Sequence, residues 1–287
     1  MKRSVLLATA VVVLSAPSAF AQAQDRGIEV GIGIGRINER VAQVDAGAEV
    51  DASNIIETVD YATDQLNTGN QTAVLNLESG ALGDLAGTAA SIGNSFSLDA
   101  AASVVAELEQ SNLGHAVSQA NASVHGAGTT AVTAASIGNS ATASADEARI
   151  ATTMAQSNLG SMTATLNGSV GGVSEATLTA ASIGNSLSVD IPGGSNLSGS
   201  QFNSGTMVAE LNGSLGGFSS LSATAASIGN SASLTSLNTR IAGNISSNLG
   251  QWNAAGQLAV LNATISHGQD AAATAAAIGN SVSINVD

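Results

Sequence analysis

One octapeptide returns along this chain almost unchanged. Thr-Ala-Ala-Ser-Ile-Gly-Asn-Ser occupies 88–95, 133–140, 179–186 and 224–231, and a copy with Ala in place of the first Ser occupies 274–281. Its isoleucines, Ile92, Ile137, Ile183, Ile228 and Ile278, are spaced by 45, 46, 45 and 50 residues. A second motif lies between the copies: Gln-x-Asn-x-(Gly or Ala), then six residues, then Asn. It begins at Gln65, Gln110, Gln156, Gln201 and Gln251, and each Gln precedes the next isoleucine by 27 residues. All the length variation falls after the Ile-Gly-Asn-Ser stretch. A constant block with variable joints describes a rigid unit whose loops emerge on one edge, the hallmark of a stacked repeat array.

The 45-residue unit is itself double. Gly69, Gly114, Gly160, Gly205 and Ala255 each lie 24 residues before Gly93, Gly138, Gly184, Gly229 and Gly279. This spacing predicts coils of 22–24 residues in two alternating types, about ten to eleven of them, after a degenerate first coil at Gln43-x-Asp45-x-Gly47. Within the coils the pattern has period two, as in Asn185-Ser186-Leu187-Ser188-Val189-Asp190-Ile191, which is the mark of half-buried strands. The chain has few large side chains, with one Trp, one Tyr and four Phe against 32 Gly. Small residues suit closely stacked strands, and Gly-Gly pairs at 171–172 and 216–217 mark turns. The expected fold is therefore all-β, a β-solenoid over 65–287, with residues 22–64 as a short N-terminal cap or an export or attachment segment. A short helix is allowed within 52–66. The core and turn positions are assigned to the five isoleucines and to Gly93, Gly138, Gly184, Gly229 and Gly279.

Residues 1–21 have the form of a secretory signal: Lys2 and Arg3, an apolar run from Val5 to Leu14, and the small-x-small site Ala19-Phe20-Ala21. The run is too short to span a bilayer, and no later stretch is apolar enough, so no integral membrane span is expected. Cleavage at that site would leave five Arg against 21 acids and no Lys. That balance argues against nucleic acid, which attracts basic patches. The chain has no Cys and so no thiol chemistry. No phosphate-loop or calcium-roll motif is present, and His115, His125 and His267 do not recur in register. No cofactor, metal or catalytic site is expected, and the protein is read as a non-enzyme.

The recurring amides are Gln65, Gln110, Gln156, Gln201 and Gln251, followed eleven residues later by Asn76, Asn121, Asn167, Asn212 and Asn262. Side-chain amides both donate and accept, so stacked copies satisfy one another. With alternating coil types, equal amides would lie two coils apart, with Ser91 or Ala89 between them, leaving some to cap turns. In its period and paired amides the stretch from about 43 to 287 resembles the curlin-type repeats of bacterial curli fibres. Its Gly-Asn-Ser after an Ala/Thr-rich strand is similar to that of the holdfast-anchoring surface proteins of stalked bacteria. These resemblances imply a secreted structural or adhesive protein of the outer surface or matrix of a Gram-negative bacterium, assembling end to end with itself or related surface subunits, or onto a fibre or holdfast anchor. The strand at 281–287, with no polar cap after it, agrees with that expectation. The second reading is a binding module whose flat faces take extracellular polysaccharide or ice.

Overall fold

The computed structural model describes residues 38–42, 48–51, 59–80, 83–101, 103–145, 149–190, 195–236 and 246–286. The leader expected at 1–21 lies outside them. Period-two alternation becomes strand throughout: β1 (Asn38–Ala42), β2 (Ala48–Asp51), β3 (Val59–Asn67), β4 (Gln71–Gly80), β5 (Asp84–Ala100), β6 (Val104–Asn112), β7 (Ala116–His125), β8 (Thr129–Ala145), β9 (Ile150–Asn158), β10 (Met162–Asp190), β11 (Asn196–Asn203), β12 (Met207–Ser236), β13 (Ser246–Asn253) and β14 (Gln257–Val286). The helix allowed within 52–66 is absent from its described part, where 59–67 is β3. All pairing is parallel, so the fold is an all-β solenoid.

The coil is twice as long as its internal symmetry suggests. Gln110 lies opposite Gln156, Asn121 opposite Asn167 and Ile137 opposite Ile183, so successive 45-residue repeats stack directly. The expected ten to eleven coils of 22–24 residues become five full coils of about 45. A 22-residue offset occurs once, at the N-terminal end, where Asn38 pairs with Asp60. There β1 extends one sheet beside β3 and β2 extends the other beside β5, upstream of residue 65. Like-on-like stacking explains the longer coil, because half-repeats laid on one another would place Gln over Ala or Ser and leave buried amides without partners.

Each full coil has four segments, seen in the third as β9, then 162–171, 175–183 and 185–190 of β10. The first segment faces the fourth, and the second faces the third. Two apolar compartments result. One is built from Ala120, Ala134, Leu166, Leu178 and Leu211, the other from Phe96, Leu98, Leu108, Met154 and Leu187. Tyr61 stacks on Phe96 in the second, with ring centroids 6.1 Å apart. Small residues at inward positions let the two layers close on each other.

The corner between the second and third segments needs a left-handed residue. Gly126, Gly172 and Gly217 supply it with φ of 73°, 66° and 69°, and in the last coil His267 takes φ 54°. The corner between the third and fourth segments is the Gly-Asn pair, where both residues are buried and the in–out alternation changes phase. This phase places Ser136 inside and Ile137 outside. The isoleucines assigned to the core are thus on the outer wall, where Ile92 is 42 % exposed, and the buried apolar positions of the third segment are those of Ala134 and Leu178. Thr133, Ala135 and Ile137 and their equivalents in all five coils form three outward columns.

Urea unfolding tests this inside-out assignment. Leu178→Ala removes a fully buried side chain and is expected to cost about 2–5 kcal/mol. Ile183→Thr, on the outer wall, is expected to cost less than about 1 kcal/mol. His267→Gly relieves a left-handed residue and is expected to raise stability by about 1 kcal/mol.

Candidate functional site

Between the two apolar compartments runs a polar seam, built where the first–second turn meets the third–fourth corner. Three buried columns of amides fill it. In the first, Gln110, Gln156, Gln201 and Gln251 each donate from Nε2 to Oε1 of the Gln one coil earlier, beginning at Gln65, over 2.7–2.8 Å. In the second, Asn67, Asn112, Asn158 and Asn203 each donate to the next coil, ending at Asn253, over 2.5–2.7 Å. The third runs from Asn94 through Asn139, Asn185 and Asn230 to Asn280 over 2.7–2.8 Å. The ladders are continuous, where the sequence suggested interruption by Ser91 or Ala89, because the 45-residue coil puts like over like.

The same side chains also tie the two layers of each coil together. Gln65, Gln110, Gln156, Gln201 and Gln251 reach the carbonyls of Ser95, Ser140, Ser186, Ser231 and Ser281 at 2.8–3.0 Å. Asn94 and Asn139 reach across to the next coil, donating to the carbonyls of Ser111 and Ser157. Ser136, Ser182 and Ser227 hold the seam's other flank through the carbonyls of Ala116, Met162 and Met207. An amide with two N–H groups and one carbonyl can serve both directions at once, which neither Ser nor Leu can do. Gly93, Gly184 and Gly229 are required here by space: a Cβ would come within 2.5–2.6 Å of Oδ1 of Asn112, Asn203 and Asn253. Gly138 is closed by Asn158 in the same way, while Gly279, in the last coil, is less crowded. Gly69, Gly114, Gly160 and Gly205 belong to the first–second turn, where the amides of Asn67, Asn112, Asn158 and Asn203 grip their carbonyls.

The late asparagines lie elsewhere. Asn76, Asn121, Asn167, Asn212 and Asn262 form a fourth ladder, over 2.8–3.3 Å, on the outer wall of the second segment. Asn76, Asn121, Asn167 and Asn212 border a shallow trough with Glu78, Ser123 and Ser169. The eleven-residue spacing from Gln to Asn therefore joins a buried seam to an exposed wall. His115 sits in the first–second turn, where its Nδ1 accepts from the N–H of Ser161. Among the described residues no three His, Asp or Glu gather as a metal site, and no helix is long and apolar enough to cross a membrane.

Sequence reasoning passed over two exposed aromatics. Phe202 and Trp252 are cross-strand partners on the outer wall of β11 and β13. The signal was in the motif itself: the x of Gln-x-Asn stands between two inward amides and must point outward.

Strands, turns and amide columns of this kind define a structural repeat protein. Residues 72–257 match the family of holdfast attachment protein D, and the chain belongs to that family. It is thus a surface attachment protein with a structural, adhesive role. No curated protein and no solved structure matches it.

Gln156→Leu tests the seam. It strands the carbonyl of Ser186 and an N–H of Gln201, and each buried group left unpaired costs about 1–3 kcal/mol. A clear fall in the thermal midpoint is expected, and circular dichroism would show it. Asn167→Ala, on the exposed ladder, is expected to change the midpoint by much less.

Proposed function

We propose that the protein is exported to the outer surface of a Gram-negative cell and serves there as a rod-like attachment element that stacks through its coil faces onto a further copy of itself or onto a related surface subunit. One observation carries this reading. β13 and β14 stand at the ends of their sheets, and the inward side chains of that coil are uncovered: Val282 and Ile284 are 51 % and 59 % exposed, whereas their counterparts Leu187, Val189, Ala232 and Leu234 are buried. A face of unpaired strand edges and apolar side chains, already in register for another coil, favours addition of a strand layer. The family's attachment role agrees with a structural rather than a catalytic protein. A lateral wall would then remain free for extracellular polysaccharide, and this second reading has its own observation in the exposed aromatics of β11 and β13.

Sedimentation velocity and negative-stain microscopy of the purified protein, followed over days at neutral pH, test the stacking. Concentration-dependent growth into rods or fibres is expected, and Val282→Asp with Ile284→Asp should abolish it while leaving β-rich circular dichroism unchanged. A strictly monomeric rod at all concentrations would remove self-stacking.

A further inference from the structure

Six aromatic residues serve the whole chain, and two of them are placed where a core has no use for them. Trp252 is 69 % exposed and Phe202 39 % exposed, side by side on adjacent coils. Exposed aromatics of this size are enriched at binding surfaces because they offer a large rigid face at low entropic cost.

Their backbone is held firmly. Asn185 donates to the carbonyl of Phe202 at 2.7 Å and Asn230 to that of Trp252 at 2.9 Å, so both residues are anchored to the buried seam. On either side of them in the chain, Gln201 with Asn203 and Gln251 with Asn253 point inward into the ladders. The rings therefore stand on a fixed floor, and a ligand that meets them need not order a loop.

The surroundings select the ligand. β11 and β13 contain no charged residue. The outward neighbours of the pair are small or polar: Ser198, Ser200, Asn248 and Gly250, with open space over Gly250 where a Cβ would meet nothing within 4 Å. Two ring faces bordered by hydroxyls and an amide match a pyranose, which has an apolar C–H face and an equatorial rim of hydroxyls. An apolar protein knob would call for an apolar border, and an anionic polymer would meet a chain of net charge −14.

We propose that Phe202 and Trp252 form a stacking platform for an uncharged polysaccharide on the outer wall of the last two coils. The platform deepens the attachment reading by naming what the lateral wall takes, and it is independent of stacking through the coil faces.

Trp252 is the only tryptophan, so its fluorescence reports on the platform alone. The purified protein would be titrated with cellohexaose and with chitohexaose, and its retention on cellulose and chitin compared with that of the Phe202→Ser, Trp252→Ser double variant. A saturable spectral shift with at least one sugar is expected, together with about a tenfold or greater loss of retention in the variant. Circular dichroism checks that the variant keeps its fold. Undiminished retention by the folded variant, the absence of both spectral change and retention with every neutral sugar, or binding to alginate alone would each overturn the proposal. Sedimentation of the same samples reads stacking separately, so loss of sugar binding with intact stacking removes this inference and leaves the attachment rod in place.

Discussion

A buried amide is expensive unless every donor and acceptor finds a partner, and this requirement organises the whole solenoid. Three amides enter the interior of each full coil. Each has one partner in a backbone carbonyl beside the seam and another in the coil above or below, and only an identical residue at an identical position supplies the second. Register is therefore fixed at every step: a slip of one residue would turn the amides out and carry polar outer-wall residues inward. The apolar compartments on either side tolerate Ala, Val, Leu, Met or Phe in turn, since they need only be filled. The seam does not vary at all, with Gln and Asn standing at their positions in all five full coils.

Much of this was legible before any coordinates. The constant 27-residue block, the variable joints and the period-two strands predicted a stacked all-β array, and the fixed amides marked the positions where stacking matters most. The length of the coil was hidden because two half-repeats of similar size look alike whether they lie on top of each other or face each other across a core. What distinguishes the two cases is chemical identity. Gln65 can share hydrogen bonds with Gln110 but not with Ala89, so the amides already argued for 45 residues per turn. The isoleucines misled for a related reason. A repeated large apolar residue suggests a core, yet the Gly-Asn corner shifts the alternation and turns Ile137 outward while Ser136 faces in. No hydrophobicity pattern shows such a phase change, because it comes from a backbone bend.

The ladders also have direction. The Gln column donates toward the N-terminal coils, while the two buried Asn columns donate toward the C-terminal coils. Side-chain dipoles thus run against one another within a narrow seam, and their fields partly offset along the axis. The two ends of the rod remain unlike, since parallel strands have no two-fold axis relating top to bottom. Any contact between two such unlike ends is head-to-tail, the kind that gives a ring or an open filament according to its rotation.

The stacking of like coils gains a mechanical meaning in a protein that attaches. Full coils meet along all four segments, so a pull along the axis is shared among their backbone rungs and three side-chain amide hydrogen bonds loaded together. Interfaces along a rod carry the same load in series, and the one with fewest rungs yields first. The interfaces between full coils repeat the same backbone rungs and the same three ladders, so tension finds no weak joint among them, and the seam and its outer walls hold as one unit.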